Sequence, residues 1–142
     1  MAATARALDD SGLLADVSRL AKERALDLVL VFGSVAAGKA HASSDVDVAL
    51  SASAGPLAFE TLVDVTMQLG GLFQAEVDGV DLRRADPLLL KKIFEHPVVL
   101  FSTPGAFEQA RLHAFHRYED YRPYLALERA AVRRRLGLDA RR

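Results

Sequence analysis

A chain of 142 residues with 51% hydrophobic side chains is long enough to bury a core of its own and too apolar to be disordered. It holds no cysteine, which excludes a disulfide framework and a thiolate zinc site and fits a reducing, cytoplasmic setting. The net charge of −1 conceals an asymmetry, because residues 1–104 carry 9 basic and 14 acidic side chains whereas residues 105–142 carry 9 and 5.

The N-terminal run lacks the basic start and continuous apolar segment of a signal peptide, and no stretch approaches about 18 apolar residues free of charge. A soluble protein with no membrane partner is expected. Leu13, Leu14, Val17, Leu20 and Ala21 recur at helical spacing and predict a helix from about Asp10 to Arg24. The period then changes. The run from Leu26 to Gly33 is rich in β-formers and ends in glycine, "DVDVALS" from Asp45 alternates strictly, and Ala75 to Leu82 alternates again around a glycine. Between the second and third strands, Leu57 to Leu69 reads as a helix opened after Pro56. Pro87 to Glu95 predicts a further helix with proline at its favourable first position, and "PVVLFS" a short strand. From Pro104 onward the chain is helical, with Phe115, Tyr118, Leu125, Val132 and Leu136 on one stripe, a break or restart expected at Pro123, and an end at Gly137. This pattern predicts an α+β fold in a single domain: a core over 1–104 and a C-terminal helical extension over 105–142 that packs on the core or on a partner.

The stretch from Val31 to Leu50 admits two chemistries. Gly33 through Lys39 has the G-x-x-x-x-G-K spacing of a phosphate loop. Ala40 stands where that motif needs a hydroxyl for Mg²⁺, and the next strand begins too soon for the crossover of about a dozen residues that a parallel sheet requires. The other reading starts from Asp45 and Asp47, which share one face of a strand while Val46, Val48 and Leu50 point into a core. Two carboxylates so placed repel each other, and a divalent cation relieves the conflict. Gly33 and Ser34 end the preceding strand, so a turn begins with outward amide groups and a hydroxyl beside the acids. An anion cradle next to paired acids suits a nucleoside triphosphate with Mg²⁺.

Glycine-serine, ten residues, then Asp-x-Asp is the motif of the DNA polymerase beta-like nucleotidyltransferase superfamily, and Gly33, Ser34, Asp45 and Asp47 match it in spacing. "EVDGVDLRRADPLLLKKIFEHPVVLF" resembles the third-carboxylate strand and following helix of minimal nucleotidyltransferases, and "YEDYRPYLALERAAVRRRL" is similar to the C-terminal helix of those paired with HEPN toxins. The resemblance implies a polymerase-beta-like fold, a small mixed sheet flanked by helices. It also implies two Mg²⁺ ions held by Asp45, Asp47 and a third carboxylate, with Gly33, Ser34, Lys39 and Ser44 binding the nucleotide. The third carboxylate aligns best with Asp78, and Asp81 is its rival on the opposite side of the strand. One departure is visible: relatives often carry an arginine in the turn after Gly-Ser, where this chain has Val35, Ala36 and Ala37, and Lys39 offers a point charge in its place.

The implied activity is transfer of AMP from ATP to a tyrosine of a HEPN toxin, which makes the protein an antitoxin. The alternatives are transfer to a small molecule or a silent nucleotide binder. Tyr118, Tyr121 and Tyr124 beside Arg129, Arg133, Arg134 and Arg135 have the composition of an interface, or of an amphipathic helix with solvated arginines. Arg111 to Tyr118 also reads as the R-x-x-x-x-H-x-Y pattern of HEPN ribonucleases, with His116 as acid or base, but the helical bundle such a site needs is missing from the pattern. His113 and His116 are expected as exposed helix residues, and His41 and His96 lie in loops with no partner at metal-ligand spacing. A nucleic-acid partner is not expected, because the acidic body repels phosphate and no aromatic-basic platform lies on a strand.

Overall fold

The computed structural model describes residues 7–39 and 45–138. Ser44 and His41 lie outside the described residues. Helix α1 (Ser11–Glu23) begins where the Asp10 carboxylate accepts the Leu13 N–H at 2.9 Å, and it buries Leu13, Val17, Leu20 and Ala21 as the spacing predicts. Strand β1 (Leu26–Phe32) follows, then a four-residue helix α2 (Gly33–Ala36), strand β2 (Val46–Ala52), helix α3 (Phe59–Phe73) and strand β3 (Val77–Asp81). After a 3₁₀ turn (Leu82–Arg84) come helix α4 (Pro87–Ile93), strand β4 (Val98–Ser102) and the long helix α5 (Ala106–Arg135). Among the described residues no helix is long and apolar enough to cross a membrane.

The strands form one sheet in the order β3-β2-β1-β4, with β1 antiparallel to both β2 and β4, and β2 parallel to β3. The chain is therefore an α+β fold with a mixed sheet. The central strand β1 is apolar on both sides because both faces of the sheet are covered. On one face Val29, Val31, Val48 and Leu50 pack with Val17, Val65 and Leu69 of α1 and α3. On the other, Leu28, Leu30, Phe32 and Ala49 pack with Leu90, Ile93 and Ala114 of α4 and α5. The parallel β2–β3 pair needs a crossover, and α3 provides it. Gly79 lets that helix lie close, since a Cβ there would stand 2.2 Å from the Thr66 hydroxyl oxygen.

Two expectations are corrected. Helix α3 starts at Phe59 rather than Leu57 and runs on to Phe73. Leu57 is held in extended chain because its N–H donates to the Asp81 carboxylate at 2.8 Å, and the helix ends only where Gln74 adopts a left-handed conformation at φ 57°. Pro123 neither breaks nor restarts α5, which is continuous through it. Proline removes one N–H and crowds the preceding turn, but Pro123 is exposed, so the carbonyl it frees is not shut away from solvent, and the Tyr121 hydroxyl donates across two turns to Glu128 at 3.0 Å. Gly137, at φ 72°, does end the helix: its N–H reaches the Arg134 carbonyl and that of Leu138 reaches Arg133, the paired bonds of a Schellman cap. Of the predicted stripe only Tyr118 and Leu125 are half-buried, whereas Phe115, Val132 and Leu136 are exposed, because this part of α5 runs past the body with little to pack against.

Candidate active site

Strand β1 ends in a corner. Gly33 takes φ +77°, a left-handed conformation that glycine adopts without strain, and turns the chain into α2. The corner is closed by Ala37 N–H to the Gly33 carbonyl at 3.0 Å and Lys39 N–H to the Ser34 carbonyl at 2.9 Å. Ser34 and Lys39 are exposed. The first-turn amides of α2 have no helical acceptor, as at every helix start, and so face outward beside the serine hydroxyl.

Strand β2 returns antiparallel to β1 in a register that sets Asp47 opposite Phe32, one residue from the corner. The contact is close: a Cβ on Gly33 would stand 2.4 Å from Asp47 Oδ2. Gly33 is thus required twice, for its backbone angle and for the room its missing side chain leaves to a carboxylate. The short α2 and the antiparallel return also dispose of the phosphate-loop reading, which needs a long helix crossing to a parallel strand.

The parallel pairing of β2 with β3 then places Asp78 directly beside Asp47. Cross-strand neighbours share a face, so two carboxylates meet at the corner, with Asp45 exposed just ahead of β2. Burial pushes the Asp47 carboxyl above its usual range, the charge of Asp78 pushes it further, Lys92 of α4 opposes both, and Asp45 adds a smaller push upward. Lys92 was not singled out by sequence reasoning. Its only signal was its place on the helix after the third-carboxylate strand, and three-dimensional packing brings its charge toward Asp47.

Asp81 goes elsewhere. Three residues along β3 from Asp78, it projects from the opposite side of the strand and is 4% exposed. One carboxylate oxygen accepts the Leu57 N–H at 2.8 Å and the other accepts the Arg83 N–H at 2.9 Å, with the Arg84 guanidinium 4.0 Å away. It ties the loop before α3 to the end of β3 and points away from the corner.

Among the described residues, none gives a hydrogen bond or ion pair to the carboxylates of Asp47 or Asp78, and no three His, Asp or Glu side chains form a ready chelating cage. The donor set nevertheless fits a hard divalent cation. Two adjacent carboxylates with free oxygen lone pairs, in mutual repulsion, are the ligands that Mg²⁺ takes when water and phosphate complete its shell. His113 and His116 lie on α5, and no helical bundle surrounds the Arg111–Tyr118 motif among the described residues.

Comparison with known proteins agrees with this fold. Over 112 residues, 75% of this chain and 73% of the relative, the sequence is 29% identical to the protein adenylyltransferase MntA of Shewanella oneidensis. A toxin-antitoxin crystal structure containing AMP-PNP superposes with a TM-score of 0.70 at 25% identity, covering 87% of this chain and 98% of the other. A structure of the tri-AMPylated Shewanella oneidensis HEPN toxin with its MNT antitoxin shares the fold, with a TM-score of 0.65 at 22% identity over 88% and 96% of the two chains. Residues 17–105 match the family described as polymerase beta, nucleotidyltransferase, and with the Gly33–Ser34 corner and Asp45-x-Asp47 inside that span, the chain belongs to that family.

Proposed function

We propose that this protein is an Mg²⁺-dependent protein adenylyltransferase that transfers AMP from ATP to a tyrosine hydroxyl of a HEPN toxin and releases pyrophosphate. The observation that carries the reading is the pairing of Asp47 with Asp78 across parallel strands, directly against the Gly33 corner. The acceptor class rests on the similarity to MntA, a named protein adenylyltransferase, and to a toxin-antitoxin structure containing AMP-PNP.

In this reading Asp45, Asp47 and Asp78 hold two Mg²⁺ ions, which when bound lower the charge on the triphosphate and favour ionisation of the attacking hydroxyl. The outward amides after Gly33 and the Ser34 hydroxyl orient phosphate oxygens, Lys39 adds a donor, and the resemblance adds Ser44, the neighbour of Asp45 in the sequence. Lys39 stands in for the arginine that relatives carry, as a single point charge rather than a planar fork. Asp78, on the edge strand β3, would hold the ion beside the attacking hydroxyl and help draw off the tyrosine proton. The hydroxyl oxygen forms a bond to the α-phosphorus of ATP while the bond to the β-phosphate oxygen breaks, and Lys92 lies on the helix that flanks the carboxylates.

The test is to incubate the full chain with Mg²⁺, each nucleoside triphosphate in turn and a purified HEPN protein encoded beside it, and to read added nucleotide on the toxin by mass spectrometry. Tyrosine-linked AMP is expected with ATP and not with Asp47→Asn. Unmodified toxin under all four nucleotides, or equal modification by the variant, overturns the reading.

A further inference from the structure

A cavity of about 360 Å³ opens between the sheet and helix α5, at the end of β1 remote from Gly33. Its floor is formed by Asp27 of β1 and Ser51 of β2, and α5 closes it from above with Gln109 and His113. Asp27 and Gly33 are six residues apart along the strand, roughly 20 Å at about 3.3 Å per residue, so the cavity is separate from the carboxylate corner.

Asp27 is there because β1 is bulged. Leu26 faces Ala52 and Leu28 faces Ser51, which leaves Asp27 as the extra residue, with its carbonyl taken by the Thr103 N–H at 2.9 Å. Its Oδ1 atom is buried and accepts no hydrogen bond from any described residue. A buried acceptor without a donor is costly and is retained where something else satisfies it. Arg83 also lines the cavity, with its Nη2 anchored on the Ala52 carbonyl at 3.0 Å, leaving the rest of the planar fork with donors to spare. Arg83 and Asp27 form no ion pair with each other, so opposite charges face a common space without cancelling. Leu82 and Leu90 add apolar lining.

We propose that this cavity binds a small zwitterion of the amino-acid class. Its ammonium group donates to Asp27 Oδ1, its carboxylate accepts from Arg83 with His113 alongside, and an aliphatic chain lies against Leu82 and Leu90. A plain amine would face an uncompensated guanidinium, and a plain acid would leave Asp27 without a donor. The volume sits at the small end of ligand sites, which run from about 300 to 1,000 Å³. The inference is independent of the transfer reaction, because none of these residues belongs to the Gly33 corner.

Calorimetry and thermal shift on the full chain test it, with a panel of free L-amino acids including leucine and norvaline, and with n-butylamine and pentanoate as the decarboxylated and deaminated analogues of norvaline. Saturable binding of an aliphatic amino acid is expected, with each single-charge analogue weaker by about tenfold or more. Asp27→Asn is expected to weaken binding by about tenfold while raising the Tm of the ligand-free protein, a rise that a purely structural carboxylate would not give. Arg83→Gln provides a second variant and is expected to erase the preference for norvaline over n-butylamine. No binding by any amino acid in the panel at about 10 mM, the concentration of a very weak ligand, overturns the proposal. So does unchanged affinity in both variants, or an amine that binds as well as the zwitterion.

Discussion

The two sides of β3 treat the same side chain in opposite ways. Asp81 is buried, and both of its oxygens are occupied by backbone N–H groups from two separate segments, so its charge serves the fold. Asp78, three residues earlier, stands beside Asp47, and neither carboxylate has a donor among the described residues. A satisfied carboxylate locks structure. Unsatisfied carboxylates held side by side raise the free energy of the folded protein and repay it only when a cation arrives. The contrast teaches where to look for function in a small α+β domain: at the acids the fold leaves in conflict, not at the ones it neutralises.

The contrast is broken most directly at Asp47. Asp47→Asn is expected to lower AMP transfer by about 10²- to 10³-fold, the usual consequence of removing one essential electrostatic group, read in a radiolabel transfer assay. Its stability should move the other way. Because burial and Asp78 raise the Asp47 carboxyl in the folded state, the folded protein holds its proton more tightly than the unfolded chain does. Above the raised value the ionised carboxylate destabilises the metal-free protein, and that penalty fades as pH falls toward the ordinary carboxylate range. Urea titrations in EDTA should therefore find Asp47→Asn more stable than wild type near neutral pH, with the gap narrowing in acid. A variant less stable at neutral pH would remove the conflict from this side of the strand.

Asp81→Ala probes the other side. It leaves the Leu57 and Arg83 N–H groups without their acceptor and is expected to cost about 2–3 kcal/mol, a Tm loss on the order of 5–15 °C. The specific activity of the folded fraction should remain close to wild type, since Asp81 points away from the corner. Gly33→Ala is next. Forcing alanine to φ +77° costs about 1–2 kcal/mol, and its Cβ must displace Asp47 Oδ2, so activity falls by about tenfold or more while Asp81 is undisturbed. The smallest effect belongs to Lys92→Ala, which removes a cation that eases Asp47 and is expected to change KM for Mg-ATP by a few-fold, with little change in Tm.

What could be read from the chain alone was local. Strand and helix types followed from the change between two-residue and 3.6-residue periods, and Gly33, Ser34, Asp45 and Asp47 were visible because their positions within one β-turn-β unit are a matter of spacing. The alternation of β3 showed that Asp78 and Asp81 face opposite ways. It could not show which face looks at Asp47, because that parity is decided by the register against β2 and by the helix that covers each side.

The same limit governed the rest. Leu57 leaves the helical pattern for a hydrogen bond to a residue 24 positions away, Lys92 gains its relevance only when α4 packs beside the corner, and the Oδ1 atom of half-buried Asp27 is left without a donor where β1 carries one residue more than its partner strand. By itself, then, the sequence determined the elements, the core stripes and the Gly-Ser with Asp-x-Asp unit, all properties of neighbours along the chain. Tertiary structure alone decided which acids are satisfied and which are left in conflict, since satisfaction depends on donors that distant segments bring or withhold.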